Sequence, residues 1–400
     1  MSDISPKNRL HIAIFGRKNA GKSSLLNALT CERTAVVSEE PGSTTEALFY
    51  RMDLDPVGPV VLIDTAGFEQ DEHSELGQQR SRKLQEVMDQ TDLALLLFTD
   101  TNEDYSLERR CYKELSNRHI PVLGVVNKID DRFVDVEPIK IQFDEIPIVK
   151  ISASNRINLN RVRQSIRRMT PIEFERSTII GDLVSEKDLV LLVSPKDLKA
   201  PRYRLPTIHT QLIRDIMDQG AVSLTATEEE LQVVLSYLSR KPDLVITESD
   251  VFETVCEAVP AGIPVTTYSI LLARTKGELD VFIRGAKAID SLKPGDRILV
   301  AEACGNHELK GDVTREKVPQ WLKEKAGGEL TFEVRAGNDF PADLTPYKLV
   351  LHCNSCAFNR KQLMARLTRS EAQHVPITNY GIALAHMNGV LERAIPQVVY

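Results

Sequence analysis

The chain lacks an apolar stretch long enough to cross a membrane. Its most apolar short run, Leu93–Phe98, is bounded by Asp92 and Asp100, whereas a spanning helix needs about 20 apolar residues. The first residues, Met1–Lys7, are polar and contain no signal-peptide core. We therefore expect a cytoplasmic protein that has no membrane among its partners.

An excess of positive charge is also absent. The 400 residues include 50 Lys and Arg against 57 Asp and Glu, which gives a formal net charge of −7. A protein that binds mainly to a nucleic-acid backbone needs clustered Lys and Arg side chains to neutralise the phosphates. We therefore expect no nucleic acid among the partners.

Cysteine is scarce, with six residues in the whole chain. Because disulfides are rare in a reducing cytosol, clustered cysteines are better interpreted as candidate metal ligands. Three of the six stand alone, and we expect them to be ordinary small residues of the core or the surface. These three are Cys31, Cys111 and Cys256.

The length of the chain exceeds what one hydrophobic core supports, so two or three domains are expected. Residues 10–170 alternate short apolar runs with helical patterns, which predicts a parallel sheet with helices on both faces. A closing helix is expected at Ser152–Met169. The expected strands are Leu10–Phe15, Val60–Ile63, Leu93–Phe98, Val122–Val126 and Ile148–Ile151.

The rest of the chain is again of the α/β type. We expect a helix at Thr227–Ser239, opened by the capping box Thr227-Glu-Glu-Glu230. A long helical stretch is expected after a strand at Lys348–His352. The segment Pro260-Ala-Gly-Ile-Pro264 is the best candidate for a domain boundary, and no internal repeat or low-complexity segment is evident.

Residues 16–23, Gly-Arg-Lys-Asn-Ala-Gly-Lys-Ser, form a complete G-x-x-x-x-G-K-[ST] P-loop between a strand and a helix. Glycines let successive backbone N–H groups surround phosphates, and the helix N-terminus adds its positive dipole end. Lys22 is expected to reach the β- and γ-phosphates and the Ser23 hydroxyl to bind Mg²⁺. The loop residues expected to contact the nucleotide are Gly16, Asn19, Ala20, Gly21, Lys22, Ser23 and Ser24.

Three later segments favour a guanine nucleotide, GTP or GDP. Asp64-Thr-Ala-Gly67 ends a buried strand, where the carboxylate can hold Mg²⁺ through water and the Gly67 N–H can contact the γ-phosphate. Asn127-Lys128-Ile-Asp130 ends another strand, and the Asp130 carboxylate can accept two N–H bonds that adenine does not offer. Ser152-Ala153-Ser154 supplies a backbone donor for the guanine carbonyl.

The run Gly16–Asn27, followed by Pro41-Gly-Ser-Thr-Thr45, resembles the TrmE and Era branch of translation-factor-class GTPases. The resemblance implies that Thr44, rather than Thr45, binds Mg²⁺. It also implies that Asn19 ligates a K⁺ ion beside the phosphates, which can replace an arginine finger. Phe68 stands where Ras-like enzymes have a water-orienting Gln, so slow intrinsic hydrolysis is expected.

The remaining cysteines cluster near two histidines. Cys304-Gly-Asn-His307 and His352-Cys353-Asn-Ser-Cys356 both follow expected strands. A Cys-x-x-Cys turn places two thiolates on one metal, and Cys304 can supply a third from another strand end. Three Cys plus His fits a closed zinc site or an iron–sulfur cluster, and the spacing does not choose between them.

A GTPase with these cysteines in this order resembles, over its full length, the HydF family of [FeFe]-hydrogenase maturation GTPases. The resemblance implies three α/β domains: a P-loop GTPase domain at 1–170, a dimerisation domain at 171–262 and an iron–sulfur cluster-binding domain at 263–400. It implies a homodimeric scaffold that carries a transient di-iron precursor and delivers it to the apo-[FeFe]-hydrogenase. Two radical-SAM maturases are its implied partners.

The same resemblance implies that Cys304, Cys353 and Cys356 bind a [4Fe–4S] cluster. The family pattern is usually Cys-x-His, whereas position 306 is Asn and the histidine is His307. The fourth ligand is therefore left open among His307, His352, a carboxylate and water. The alternative interpretation is a TrmE- or Era-like RNA-associated GTPase with a structural zinc site.

Overall fold

The computed structural model describes residues 9–30, 36–37, 47–67, 75–99, 104–131, 135–143, 146–171, 178–195, 207–303, 313–353 and 358–395. The chain divides into two compact units, Met1–Arg176 and Ser177–Tyr400. Among the helices of these described ranges, none is long and apolar enough to span a bilayer.

The first unit alternates strands and helices. Its elements are β1 (Leu10–Gly16), α1 (Lys22–Thr30), β2 (Val36–Val37), β3 (Leu48–Leu54), β4 (Gly58–Asp64), α2 (Glu75–Asp89), β5 (Leu93–Phe98), α3 (Ser106–Asn117), β6 (Val122–Val126), α4 (Glu137–Gln142), β7 (Ile148–Lys150) and α5 (Leu159–Met169).

These strands form one sheet in the order β2-β3-β4-β1-β5-β6-β7. The pairs from β4 to β7 are parallel, whereas β3 is antiparallel to β4 and β2 to β3. The central strand β1 is buried along its whole length, as expected when helices cover both faces of a parallel sheet. The expected α/β class and the five expected strands of this unit are confirmed.

The closing helix of this unit starts later than the sequence predicts. Residues 152–158 form a turn in which Ser152 and Ile157 bridge, and Asn158 adopts a left-handed conformation with φ of 61°. The Asn158 amide donates a 2.9 Å hydrogen bond to the Lys150 carbonyl. This turn replaces the first part of the expected helix, so α5 begins at Leu159.

The second unit contains two further sheets. Its elements are β8 (Leu189–Ser194), α6 (Thr207–Asp218), β9 (Val222–Thr227), α7 (Leu231–Tyr237), β10 (Leu244–Thr247), α8 (Phe252–Ala258), β11 (Val265–Thr267), α9 (Tyr268–Lys276), α10 (Leu279–Lys287), β12 (Arg297–Glu302), α11 (Val313–Ala326), β13 (Thr331–Ala336), β14 (Leu349–His352), α12 (Arg360–Ala372), β15 (Ile377–Asn379), α13 (Tyr380–Met387) and α14 (Leu391–Ala394).

Two sequence expectations fail in this unit. The Thr227–Glu230 pair forms a 2.9 Å side-chain hydrogen bond, but it closes a turn and the helix begins only at Leu231. The expected C-terminal helical stretch is interrupted by β15, whose three residues are buried. So short an apolar segment does not distinguish a strand from a helix by its periodicity.

The two sheets have the same topology. Their strand orders are β11-β10-β8-β9 and β13-β12-β14-β15, and the second order is the first one read from the opposite edge. All pairs in both sheets are parallel. We call residues 178–277 the first module and residues 279–395 the second module.

The strand registers of the two modules also coincide. Thr247 pairs with Val193 and with Thr267, and its counterpart His352 pairs in the same way with Ala301 and Asn379. The chain segments agree as well, since Pro-Val-Thr-Thr-Tyr-Ser-Ile-Leu-Leu-Ala at 264–273 matches Pro-Ile-Thr-Asn-Tyr-Gly-Ile-Ala-Leu-Ala at 376–385. The expectation of no internal repeat is therefore wrong.

The modules share a hydrophobic core. One cluster contains inward-facing residues of both sheets, with Leu191 and Val245 in the first module and Leu299 and Val350 at the corresponding positions of the second. The opposite face of each sheet has a core of its own. Because β11 lies beyond residue 262, the first sheet extends past the domain boundary expected there, and that boundary stays a prediction.

Candidate nucleotide and cysteine sites

The P-loop joins β1 to α1, as the sequence predicts. Lys22 is buried, and its ammonium donates hydrogen bonds to the carbonyls of Gly16 at 3.2 Å and Arg17 at 3.0 Å. Burial lowers the pKa of Lys22, and the charge of Asp64 opposes that shift. The loop thus curls around the ammonium of Lys22, the side chain that is expected to reach the phosphates.

The two described side chains that are expected at Mg²⁺ face each other. The Ser23 hydroxyl donates a 2.6 Å hydrogen bond to Oδ2 of Asp64. The other carboxylate oxygen, Oδ1, is buried and has no hydrogen-bond partner among the described residues. A buried carboxylate oxygen without a partner fits a water ligand of a bound Mg²⁺ ion.

Asn127 connects the P-loop to the segment at 152–154. Its amide nitrogen donates to the Ala20 carbonyl at 3.1 Å, and its amide oxygen accepts from the Ala153 N–H at 3.1 Å. A Cβ atom added to Gly21, which has φ of +92°, would clash with the Asn127 amide. Glycine is therefore required at position 21, both for its backbone conformation and for this close approach.

Asp130 lies at the surface in a network of polar groups. The Asn155 amide donates to its Oδ2 at 3.1 Å and the Ser154 hydroxyl does so at 3.4 Å. Hydrogen bonds, first of all from the Ser152 hydroxyl, hold the pKa of Asp130 below its usual value. Asp130 is thus held as a carboxylate, the form that accepts the two N–H bonds of a guanine edge.

Gly67 lies directly against the P-loop. A Cβ atom at position 67 would come within 2.7 Å of the Lys18 backbone nitrogen and within 2.7 Å of its Cα. The backbone at Gly67 therefore lies close against the phosphate loop, and the expected contact of its N–H with the γ-phosphate stays a prediction.

An ion pair at the P-loop was not found from the sequence. The Arg17 guanidinium binds both oxygens of the buried Glu108 carboxylate, at 2.7 and 3.0 Å, and also contacts the Asp104 carbonyl. Asn19, the expected K⁺ ligand, lies in the same loop with φ of 63°, and Lys128 has φ of 64°. Thr44 and Phe68 lie outside the described residues.

The second module presents a cysteine at the end of a central strand. Cys353 follows β14, and its Sγ accepts a 3.0 Å hydrogen bond from the Ala303 N–H at the end of the neighbouring strand β12. The Cys353 N–H in turn donates to the Ala301 carbonyl at 2.9 Å. Cys304 is the next residue in the chain after Ala303.

This position is the switch point of the sheet. From β12 the chain first adds β13 on one side and then β14 on the other, and ligands of open α/β sheets bind at such a point. N–H···S hydrogen bonds are also a feature of iron–sulfur sites. The location of Cys353 and the N–H···S hydrogen bond to its sulfur therefore fit a thiolate ligand.

His352, the last residue of β14, is fully buried with both ring nitrogens in contact with polar groups. Nδ1 lies 2.8 Å from the Cys353 carbonyl, and Nε2 lies 2.9 Å from Nη1 of Arg366. Burial, together with the Arg366 charge, lowers the pKa of His352 to about 3. His352 can reach a metal only by giving up one of these two contacts.

The remaining expected ligands, Cys304, His307 and Cys356, lie outside the described residues. Within the described part of the chain, no group of three or more His, Cys, Asp or Glu side chains is placed to hold a metal ion. The full ligand set therefore stays a prediction.

Three protein-family models match the chain. The model of a 50S ribosome-binding GTPase matches residues 11–128, the hydrogen maturase F dimerization domain matches 179–277, and the hydrogen maturase F tetramerization domain matches 280–397. The chain belongs to the hydrogen maturase F (HydF) family. The resemblance stated from the sequence is thus confirmed, and the N-terminal domain is a GTPase domain.

Curated relatives of this HydF-family chain include tRNA modification GTPases. The tRNA modification GTPase MnmE of Heliobacterium modesticaldum is 34% identical over 160 residues, which are 39% of this chain and 33% of that protein. MnmE of Staphylococcus aureus (strain Mu3 / ATCC 700698) is 27% identical over 237 residues, which are 56% of this chain and 48% of that protein. The chain spans less than half the length of these relatives.

Among solved structures, the G domain of the T. maritima FeoB iron transporter is 24% identical. The match covers 41% of this chain and 99% of that chain, with a TM-score of 0.34.

Proposed function

We propose that this chain is a GTP-hydrolysing scaffold that binds a [4Fe–4S] cluster and delivers the di-iron precursor of the hydrogenase active site to apo-[FeFe]-hydrogenase. The observation that supports this most directly is the Cys353 thiol at the switch point of the second module, beside the strand end that leads to Cys304. The match to both HydF domains supports the same function.

In the GTPase domain, Lys22 and the P-loop N–H groups bind the phosphates, and Asp130 with Ala153 recognises the guanine base. Ser23, Thr44 and, through water, Asp64 hold Mg²⁺, which offsets phosphate charge when it is bound. Asn19 holds K⁺. Because Phe68 cannot orient water, turnover is slow, and we propose that hydrolysis controls partner release rather than the assembly chemistry.

In the second module, Cys304, Cys353 and Cys356 bind three irons of the cluster, and a weaker donor binds the fourth. A cluster with one replaceable ligand supplies a docking point for the di-iron precursor, which is cargo and not a resident cofactor. The radical-SAM maturases supply this cargo, and the apo-hydrogenase receives it.

The first module offers a surface for homodimerisation. Strand β9, Val-Ser-Leu-Thr-Ala-Thr, lies at the edge of its sheet and has no charged residue. Val222 on this strand is 55% exposed, and Val233 and Tyr237 of α7 are exposed as well. An uncharged edge strand with exposed apolar side chains pairs readily with a second chain, and we propose that it does so here.

The test is metal analysis of the full chain after anaerobic purification and reconstitution. We expect about four irons per chain, GTP hydrolysis that is faster in K⁺ than in Na⁺, and activation of apo-hydrogenase by the loaded protein. The variant Lys22→Ala should lose GTP turnover and keep its iron, because the two sites lie in separate units.

Stoichiometric zinc in place of iron would favour the alternative function, an RNA-associated GTPase with a structural zinc site. Equal GTP turnover in K⁺ and Na⁺ would remove the potassium role of Asn19 and leave the P-loop assignment intact.

A further inference from the structure

A buried arginine lies two hydrogen bonds away from the main chain of Cys353. Arg366 on α12 is only 6% exposed, and its Nη1 donates to Nε2 of His352 at 2.9 Å. Its Nη2 contacts the Gly337 carbonyl. The guanidinium lies over the rings of Phe340 and Phe358, at 4.6 and 4.4 Å from the ring centroids.

The donors and acceptors of this chain of contacts are fixed by chemistry. A guanidinium has no acceptor atom, so Nε2 of His352 must accept the hydrogen bond from Arg366. The Cys353 carbonyl can only accept, so Nδ1 of His352 must donate to it. Arg366 therefore selects the tautomer of His352 that holds the Cys353 carbonyl.

Cys353 is held at three points as a result. Its carbonyl binds His352, its N–H binds the Ala301 carbonyl, and its Sγ accepts from the Ala303 N–H. These contacts orient the thiol before a metal binds. A preorganised ligand loses less conformational entropy on binding.

The first module shows that the fold does not need this arrangement. Thr247 stands at the position of His352, and its hydroxyl is buried with no hydrogen-bond partner among the described residues. The helix that follows, α8 with the sequence Phe-Glu-Thr-Val-Cys-Glu-Ala, contains no arginine. The same sheet therefore forms without a buried His–Arg pair, although burying a guanidinium is costly.

We propose that Arg366 is a positioning residue of the cysteine site: through His352 it fixes the main chain of Cys353 and thereby orients the thiolate toward the cluster. His352 serves as the link between the two and not as the fourth iron ligand. This inference rests on the proposed cluster function, and it assigns a role to residues that have no counterpart in the first module.

The test compares Arg366→Gln with Arg369→Gln in the full chain. Arg369 is a matched control, since it lies on the same helix and its Nη1 donates to the carbonyls of Phe340 and Pro341. After anaerobic reconstitution, chelator-driven loss of the cluster absorption should be about tenfold or more faster for Arg366→Gln. The control should behave as the unchanged chain.

A spectroscopic measurement separates positioning from mere stabilisation. The EPR spectrum of the reduced cluster should change in Arg366→Gln and be partly restored in Arg366→Lys, which keeps the positive charge and N–H donors. His352→Gln retains a donor and an acceptor, so it should keep the cluster with nearly unchanged g values. An altered spectrum in His352→Gln together with an unaltered one in Arg366→Gln would overturn the inference.

Alkylation of Cys353 in the metal-free chain tests the inference independently of the cluster. Mass spectrometry should find faster modification of Cys353 in Arg366→Gln than in Arg369→Gln, because its main chain is then less constrained. Equal rates would overturn the inference even if iron binds. Absence of iron from the unchanged chain would instead refute the proposed cluster function, and if Arg366→Gln does not fold, Arg366→Lys is compared in its place.

Discussion

The first and second modules have one topology and one set of strand registers, yet they differ at the ends of their central strands. After β14 the second module continues with Cys353, whereas after β10 the first continues with Glu248, whose carboxylate lies 2.8 Å from His209. The strands before these positions are equally buried and apolar. The two modules therefore place different chemical groups at the same strand end of a shared scaffold.

The edge strands differ in the same way. Strand β9 is uncharged, whereas β13 has Glu333 and Arg335, which pair with each other at 2.7 Å and with Arg297 and Asp339 at 2.9 Å. Charged side chains on an edge discourage pairing with another strand. Of these two edge strands, β9 is therefore the better suited to pair with another strand.

The largest effect, a loss of bound iron, is expected at the strand end where the two modules differ. Cys353→Ala should remove the iron that the reconstituted chain binds, because the cluster loses a thiolate ligand. Glu248→Ala, at the corresponding position of the first module, should leave the iron content unchanged. Iron analysis of both variants checks this, and a full complement of iron in Cys353→Ala would refute the ligand assignment.

The second prediction concerns the edges. Thr225→Lys on β9 should weaken the dimer by about 100-fold, or about 3 kcal/mol, because it brings two like charges together at a paired edge. Val334→Lys occupies the equivalent position on β13 and should leave the dimer intact. Sedimentation over a range of concentrations measures both, and dissociation by Val334→Lys alone would place the dimer on the other module.

A smaller effect is expected for a matched pair of threonines. The Thr266 hydroxyl donates a 2.8 Å hydrogen bond to the Ala394 carbonyl, whereas the equivalent Thr378 hydroxyl is buried without a partner in the described ranges. Thr266→Val should lower the free energy of unfolding by about 1–2 kcal/mol, and Thr378→Val should not lower it. Denaturant titrations measure the free energy of unfolding of both variants. An equal decrease in the two would contradict the expected difference between Thr266 and Thr378.

The smallest effect concerns Thr247. Because its buried hydroxyl has no partner in the described residues, Thr247→Val should raise the free energy of unfolding by up to about 1 kcal/mol. His352→Val at the corresponding position should lower it, since Arg366 and the Cys353 carbonyl each lose a contact. The same denaturant titrations measure both variants, and destabilisation by Thr247→Val would show that its hydroxyl is bonded after all.

Much of the first unit could be predicted from the sequence. Strand β5 has the predicted bounds, because a buried parallel strand is a continuous apolar run. Helix α1 follows the P-loop as predicted, because that motif opens a helix at its lysine. The two antiparallel strands at the sheet edge were missed. β3 is only partly buried and β2 has two residues, so neither has a strong apolar pattern.

The sequence by itself determined the phosphate loop, since that loop is made by the contiguous residues 16–23. It also located Cys353 next to a strand end. Tertiary structure alone decided which groups these residues contact. Arg17 binds Glu108, which is 91 positions away in the chain, and Arg366 binds His352, which is 14 positions away. The sequence alone does not identify either partner, because the packing of helices on strands brings them together.

The repeat is the clearest case of what the sequence concealed. Core positions accept any apolar side chain of suitable volume, so Val, Ile, Leu and Ala replace one another between the modules until the similarity is faint. Strand order and register are constrained more strongly, because a shift by one residue turns every buried side chain outward. The backbone pairing therefore made the shared fold plain, whereas the sequence retains it clearly only at 264–273 and 376–385. The comparison with the first module then showed that the buried Arg366–His352 pair is not required by that fold.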